Sequence, residues 1–388
     1  MKKIVIQGFY GANNLGDDFI LYSLLNSINN IGKCEVIVMS YGDTYEYLFQ
    51  KYPKLQIKAF IAEKHTIADK LKVICKADAW IIGGGGLFPN ESIKESGLLL
   101  VKVVLAILSR TKLAIYGVEF NSFDKIVNRN IWKLIFLLCD MVVVRNKDSV
   151  LKINGLGIKK VKYGADITFS LQTNVELNDN GGILKKLSLE KNKYIIWALA
   201  MPWTDEEMQE KHFQLRYKSM TEILLDTINR YSEYVHVLLP FFYPSDIKLI
   251  NDLKRKLTVK YIICDKKTGV DLDEKRYIFK YARMAVCMRF HSVVFSLYHD
   301  TPFCAISYSP KTSNILMEQD MTENMVEFGI RNSQFFYREF DLDGDKFRRI
   351  VAKHLHSSKS DGKLKHSELI KYAKINENRL IKWLKGAF

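Results

Sequence analysis

Lys3-Ile4-Val5-Ile6-Gln7-Gly8-Phe9-Tyr10-Gly11-Ala12-Asn13-Asn14-Leu15-Gly16-Asp17-Asp18 decides the fold class. Lys3–Gln7 is a short apolar run that reads as a strand. A glycine and asparagine loop follows over Gly8–Gly16, and an apolar-periodic helix runs from about Asp17 to Ile28. The same alternation recurs along the first half. Cys34–Ser40 is a second strand, and Ala79–Ile82 is a third that ends in Gly83-Gly84-Gly85-Gly86. Leu98–Leu108 reads as a buried helix, Leu113–Gly117 as a strand, Ile126–Leu138 as a helix and Met141–Val144 as a strand. Asp148 and Ser149 are expected to cap a short helix up to Gly155, and Val161–Asp166 closes this half as a strand or turn. Strands alternating with helices predict a parallel α/β sheet covered on both faces.

The polar segment Gln172–Lys193, with Asn-Asp-Asn-Gly-Gly at 178–182, reads as a linker. The alternation then resumes. Strands are expected at Tyr194–Ala200, Val235–Leu239, Val259–Cys264, Met284–Met288 and, last, Phe303–Ser307. Helices are expected over Glu206–Arg230, Ser245–Lys256, Asp271–Tyr281 and from Ser292 to His299. Leu369, Ala373, Leu380 and Leu384 fall on one face of a C-terminal helix. The reading is two α/β domains with a cleft between them: residues 1–172, a linker over 173–193, residues 194–365, and a helix over 366–388 that crosses back to the first domain.

The chain has 388 residues, 58 Lys and Arg against 43 Asp and Glu, and a formal net charge of +15. Hydrophobic residues make up 48% and charged residues 26%, which excludes disorder, a collagen-like chain and a disulfide-stapled miniprotein. The six cysteines show no CxxC spacing, so they read as reduced thiols of a cytoplasmic protein rather than a zinc or redox site. No secretory signal is expected at Met1–Gly8, and the longest apolar stretches, Leu98–Leu108 and Ile131–Val144, are too short to span a bilayer. The positive charge admits nucleic acid, an anionic membrane or small anionic substrates as partners. No nucleic-acid signature is present, so nucleic acid is not expected.

Open α/β sheets bind ligands beyond the carboxyl ends of their strands. There the glycine loop after the first strand leads into Asp17 and Asp18, which read either as helix-start residues or as a functional carboxylate. Gly83–Gly86 suggest close approach of backbone to a ligand or to the opposing domain. Arg145 follows Met141–Val144, either facing the cleft or paired with Asp148. Arg289 and His291 stand two apart at a strand-to-helix turn. Arginine offers a fork that fits carboxylate or phosphate, and histidine exchanges protons near neutral pH. Tyr308 and Lys311 follow the next strand. Asp271-Leu272-Asp273 and Asp341-Leu342-Asp343 look like DxD metal motifs, but each reads as a helix start or a solvated loop, so no metal is expected. These residues alone describe a site for a small polyanion, and they suit a nucleotide-sugar glycosyltransferase almost equally well. A non-catalytic carbohydrate- or nucleic-acid-binding protein is a third reading.

Together the motifs resemble the polysaccharide pyruvyl transferase family. The matching pieces are Gly8-Phe9-Tyr10-Gly11 with Asn14-Leu15-Gly16-Asp17, Gly83–Gly86 with Leu87-Phe88, and Arg145 with Ser149 and Gly155. Gly164-Ala165-Asp166, Arg289-Phe290-His291, and Tyr308 with Lys311 complete them. They keep the family's order from about Lys3 to Lys311. Asn146 stands where an acidic residue often follows the arginine, and Ile167 where a proline often follows the aspartate. The tail after about Thr322 carries no family motif.

The resemblance implies two Rossmann-like α/β/α domains in a GT-B-like fold, an acceptor side in the first and a donor side in the second. It also implies phosphoenolpyruvate as co-substrate, no further cofactor, and a pyruvate ketal on a sugar of a bacterial surface or capsular glycan. His291 is then the general acid, with Arg289 on the donor's carboxylate or phosphate and Asp17 on an acceptor hydroxyl. Arg145, Lys311, Tyr308, Asn14, Gly16, Gly84, Gly85 and Asp166 complete the expected binding site. A lipid-linked oligosaccharide acceptor is implied too. Asp341–Phe388, with twelve Lys and Arg against six Asp and Glu, would then rest on anionic lipid at the inner face of the cell membrane.

Overall fold

The computed structural model describes residues 1–42, 50–85, 92–120, 125–171, 182–265, 268–329, 341–357 and 367–387. The chain divides into two compact units: Met1–Leu171 with Ser367–Phe388, and Gln172–His366.

Unit 1 holds seven parallel strands: β1 (Lys2–Gln7), β2 (Cys34–Ser40), β3 (Leu55–Ile61), β4 (Ala79–Gly85), β5 (Lys112–Val118), β6 (Met141–Val144) and β7 (Lys162–Tyr163). Their order is β3-β2-β1-β4-β5-β6-β7, with Ile4 opposite both Val36 and Ala79. Alternation along β1 feeds two cores. Ile4 and Ile6 pack with Ile20, Leu24 and Ile28 of helix α1 (Leu15–Asn29). Val5 and Ile82 belong to the opposite core, with Val103, Trp132 and Phe136. That face is covered by α2 (Ile67–Cys75), α3 (Ile93–Leu108), α4 (Ile126–Leu138) and α5 (Lys147–Gly155).

Strand β3 and helix α2 escape the apolar-run reading. β3 is an edge strand whose Gln56 and Lys58 break the run, and Lys58 pairs with Glu35 at 3.0 Å. α2 is a short surface helix that buries only Ile74 and starts with a Thr66–Asp69 capping box. Helix α5 is capped by Asn146, whose side chain accepts from the Ser149 N–H at 2.8 Å, and not by Asp148 or Ser149. Helix α3 is not buried all round as its apolar run suggested. Val103 and Ala106 face the core, whereas Val101, Val104, Leu105 and Leu108 are exposed in one stripe.

Unit 2 holds six parallel strands: β8 (Tyr194–Ala198), β9 (Val235–Leu238), β10 (Tyr261–Ile263), β11 (Met284–Cys287), β12 (Phe303–Ser307) and β13 (Met325–Glu327). Their order is β10-β9-β8-β11-β12-β13. Phe303–Ser307 is therefore not the last strand; three residues of β13 follow, too short to show as an apolar run. The helices are α6 (Gly182–Lys186), α7 (Lys211–Arg230), α8 (Tyr243–Lys254), α9 (Leu272–Tyr281), α10 (Phe290–Tyr298), α11 (Pro310–Glu318) and α12 (Gly344–His356). Helix α6 lies within the stretch read as a linker, and it buries Ile183 and Leu184; residues 173–181 lie outside the described residues. Asp271 caps α9 in a capping box with Glu274, and Asp343 caps α12, which gives one aspartate of each DxD pair a helix-start role.

The C-terminal helix α13 (Ser367–Gly386) is part of unit 1. Leu380 and Leu384 enter the core of Ile4 and Ile6. Asn376 donates to the Tyr163 carbonyl at 3.2 Å, and Glu377 accepts from Ser27 Oγ at 3.0 Å. Among the described residues, no helix is long and apolar enough to cross a membrane.

Candidate functional site

Each sheet has a switch point where the chain, having run to one edge, returns and continues toward the other. In unit 1 it falls between β1 and β4, and in unit 2 between β8 and β11. Of the residues singled out from sequence, 8–18 and 83–85 lie at the unit 1 point, and Arg289 and His291 at the unit 2 point. Tyr308 and Lys311 follow the neighbouring β12, whereas Arg145 and Asp166 follow β6 and β7, two and three strands away from β4.

In unit 1, Asn14 caps α1 by accepting from the Gly16 N–H at 3.1 Å, and Asp17 and Asp18 fill the first turn. Asp18 accepts from the Gly11 N–H at 3.3 Å and folds the loop back on itself. Gly84 and Gly85 have φ of +75° and +78°, where side chains are strained. A Cβ on Gly84 would meet Ile20 at 2.0 Å, and one on Gly85 would meet the Asp17 carboxylate at 2.6 Å. These glycines let α1 approach the end of β4. Gly86, Leu87 and Phe88 lie outside the described residues. The Tyr10 hydroxyl donates to the Gly83 carbonyl at 2.7 Å, and burial, with the Asp17 charge, raises its pKa well above the usual phenol value.

Arg145 differs from its expected role. Its side chain is 3% exposed and is shared between two buried carboxylates, Glu119 and, at 3.4 Å, Asp166. Burial works against its charge, but Glu119 and Asp166 more than offset that, with a further contribution from Asp17. Asp148 is not its partner; Asp148 pairs with Lys152. Asp166 also accepts from Thr168 N–H at 3.0 Å and Thr168 Oγ1 at 2.7 Å. Arg145 thus organises a carboxylate-rich cluster and is not an open cation. Sequence reading missed Glu119, which directly follows β5 and could have been found by the same rule that found Arg145.

A cavity of about 260 Å³ opens at the carboxyl ends of β1, β2 and β3, lined in part by Gln7, Gly8, Tyr41, Glu63, Lys70 and Lys102. The Gln7 side-chain oxygen Oε1 is buried and has no hydrogen-bond partner among the described residues. Burial, then Lys70, lowers the Lys102 pKa. None of these side chains was singled out from sequence, because Lys70 and Lys102 sit mid-helix, where lysine ordinarily marks a solvated face.

In unit 2, Arg289 is the N-cap residue of α10, directly after β11 and Met288. Asp246, fully buried at the start of α8, holds its guanidinium through Nε at 3.1 Å and also through Nη2. Ser245 Oγ accepts from Nη2 at 3.1 Å, and the Tyr308 hydroxyl from Nη1 at 3.1 Å. The Phe242 ring lies 5.7 Å from the guanidinium carbon. Asp246 is fixed in turn by the N–H groups of Phe241 at 3.2 Å and Phe242 at 2.8 Å. Burial opposes the Arg289 charge, but Tyr308 and Asp246 outweigh it and keep the guanidinium protonated. Burial raises the Tyr308 pKa, so the phenol stays neutral beside it. The structure therefore joins Arg289 directly to Tyr308, and anchors the guanidinium on Ser245 and Asp246, which sequence reading did not single out. Asp246 lies well past β9, behind the apolar run Phe241-Phe242-Tyr243, where a scan of strand ends stops short.

His291 lies in the first turn of α10, two residues after Arg289 and largely buried, with its ring against Phe290 and Phe295. Lys311 occupies the first turn of α11, after the neighbouring strand β12. Arg289, His291, Tyr308 and Lys311 belong to unit 2, whereas Asp17, Arg145 and Asp166 belong to unit 1.

Two α/β units, each with a parallel sheet and polar residues at the carboxyl ends of its strands, define a GT-B-type protein. Solved structures of that fold agree in architecture. UDP-GlcNAc 2-epimerase from Methanocaldococcus jannaschii superposes with a TM-score of 0.62 at 13% identity, covering 99% of this chain and 100% of that one. UDP-GlcNAc 2-epimerase from Neisseria meningitidis, solved with UDP-GlcNAc, gives 0.63 at 11% identity, covering 98% and 100%. These likenesses show the fold alone. The sequence model of the polysaccharide pyruvyl transferase family matches residues 14–310, and the chain belongs to that family. No curated protein matches the chain. Family membership makes the chain a transferase of polysaccharide biosynthesis with a glycan acceptor.

Proposed function

We propose that this protein transfers the pyruvyl group of phosphoenolpyruvate to two hydroxyls of one sugar, forming a pyruvate ketal and releasing phosphate. The acceptor is a bacterial surface or capsular glycan, or its lipid-linked precursor. The observation that carries the reading is Arg289: a charged, partly exposed guanidinium, held rigid by a buried aspartate, with His291 and Lys311 in the first turns of the helices after β11 and β12. Phosphoenolpyruvate carries a carboxylate and a phosphate, and a planar guanidinium matches either.

The chemistry follows from these groups. His291 delivers a proton to the methylene carbon of the donor, and the neighbouring carbon becomes oxocarbenium-like. One acceptor hydroxyl adds to that carbon and gives up its proton. Phosphate then leaves with the electrons of its carbon–oxygen bond, and the second hydroxyl closes the ketal. Of the two hydroxyl protons, one restores His291 and the other departs with phosphate. Arg289 and Lys311 hold the donor's negative charges. Asp17, in the acid-rich cluster of unit 1, orients or deprotonates an acceptor hydroxyl. The cavity with Gln7, Lys70 and Lys102 supports an acceptor subsite in unit 1, since the Gln7 oxygen calls for a hydroxyl donor.

The test is phosphate release from phosphoenolpyruvate across galactose, glucose, mannose and N-acetylhexosamine acceptors, free and diphosphate-lipid-linked. Acceptor-dependent release, with a product heavier by one pyruvyl unit, is expected. Consumption of a nucleotide sugar, with no effect of phosphoenolpyruvate on turnover or melting temperature, would instead make the protein a glycosyltransferase.

A further inference from the structure

Two helices of unit 1 present apolar residues to solvent. On α3 the exposed stripe is Val101, Val104, Leu105 and Leu108, spaced i, i+3, i+4 and i+7, with Leu108 75% exposed. On α4, which packs beside α3, Val127, Leu134, Leu137 and Leu138 are exposed on the side opposite the buried Trp132, Ile135 and Phe136. Soluble surfaces seldom gather so many large apolar side chains on adjacent helices, and a patch of this kind marks a contact surface. Unit 2 exposes only Leu215, Tyr261 and Met317 of this class among its described residues.

The charges around the patch choose its occupant. Exposed Lys94 and Arg110 lie on and just after α3, and Lys125, Arg129 and Lys133 at the start of and on α4, against exposed Glu95 and Asp140; α4 itself has no acidic residue. Apolar side chains with such an excess of Lys and Arg suit an interfacial helix lying against anionic lipid: the leucines enter the acyl boundary and the cations meet the headgroups. The same helix α3 turns Leu99 and Lys102 into the unit 1 cavity. One helix therefore has a side toward lipid and a side toward the candidate acceptor subsite.

We propose that the α3–α4 face of unit 1 is a monotopic docking surface for an anionic membrane, which brings the acceptor cavity to a lipid-linked glycan. This rests on the acceptor reading above for its purpose, though not for its test. It also moves membrane contact from the basic tail, whose helix α13 packs into the unit 1 core, to α3 and α4.

Sedimentation of the full chain with vesicles tests the proposal, using phosphatidylcholine alone and phosphatidylcholine mixed with phosphatidylglycerol. The wild-type protein is expected to pellet with the anionic vesicles. The combined variant Leu108→Glu, Leu134→Glu and Leu137→Glu is expected to lose at least about tenfold in partitioning, because three insertions are removed. The control Leu215→Glu in unit 2 should bind like wild type. Arg129→Gln with Lys133→Gln should lose about tenfold on anionic vesicles. Thermal melts of each variant establish that it is folded. A wild-type protein that stays in the supernatant with both vesicles overturns the proposal, as does a triple variant that pellets unchanged. A wild-type dimer that ignores vesicles and becomes monomeric in the triple variant overturns it too, and makes the face a self-interface. None of these readouts needs donor or acceptor, so absent pyruvyl transfer would defeat the functional reading while leaving this one standing.

Discussion

Units 1 and 2 share a parallel α/β plan with a conspicuous arginine just after one strand, but the two arginines live in opposite surroundings. Arg145 in unit 1 is 3% exposed and divided between Glu119 and Asp166. Arg289 in unit 2 is 21% exposed, with one buried aspartate, Asp246, behind it. A guanidinium held by one carboxylate on one side can still meet an anion on the other. A guanidinium enclosed by two carboxylates has little left to give and serves to hold them in place. Fold position alone would have treated the two alike; partners and exposure separate them.

The proposed donor chemistry lies in unit 2, and the largest expected effect tests it there. His291→Ala should lower kcat by about 10²–10⁴, the usual contribution of a positioned acid, with little change in phosphoenolpyruvate binding. Steady-state kinetics would show this, and near-normal turnover would remove His291 from the chemistry. In unit 1 the expected effect is on the fold. Gly84→Ala places a Cβ 2.0 Å from Ile20 at φ +75°, so chemical denaturation should show a loss of about 3 kcal/mol. An unaltered midpoint would mean that α1 yields easily.

Acid should separate the units further. His236 is buried in unit 2 between the Trp197 indole N–H at 2.9 Å and the Tyr231 carbonyl at 3.0 Å, and burial pushes its pKa down to about 4 from 6.5. His354, also in unit 2, is pushed down to about 4, first by burial. A histidine whose folded pKa is depressed contributes stability in full above its unfolded pKa. That contribution is lost as pH falls from 6.5 toward 4. His236 alone should cost unit 2 about 2 kcal/mol by about pH 4.5, with His354 adding a similar amount, read by hydrogen exchange in β8 and β9. Equal protection of both units at that pH would break the comparison. The smallest effect is a gain. Gly97 lies within α3 with nothing within 4 Å of an added Cβ, so Gly97→Ala should stabilise unit 1 by about 0.5–1 kcal/mol in a thermal melt.

Much of the fold was legible because buried parallel strands are nearly continuous apolar runs. Cys34–Ser40, Ile126–Leu138, Met141–Val144 and Phe303–Ser307 match the observed elements residue for residue. β3 was not legible, since an edge strand tolerates Gln56 and Lys58. Helix α3 was misread as buried because composition reports apolarity and not what covers it. At the sites, Asn14, Asp17, Arg289 and His291 could be found from the rule of strand ends. Asp246 and Glu119 could not be assigned as their partners, because the pairings Asp246–Arg289 and Glu119–Arg145 join residues from different loops that only the sheet order brings together. The glycines at 84 and 85 were legible as close-approach residues, but the approach was read as that of a ligand or the opposing domain, whereas α1 of the same unit packs against them.

The most direct test of the account is to run the reaction in heavy water with phosphoenolpyruvate and an accepted sugar, then weigh the product. Protonation of the donor's methylene carbon predicts a ketal with one non-exchangeable deuterium in its methyl group, formed in step with phosphate release. A product without that deuterium would contradict the proposed proton transfer. Sugar transfer from a nucleotide donor, with phosphoenolpyruvate left intact, would contradict the central claim itself.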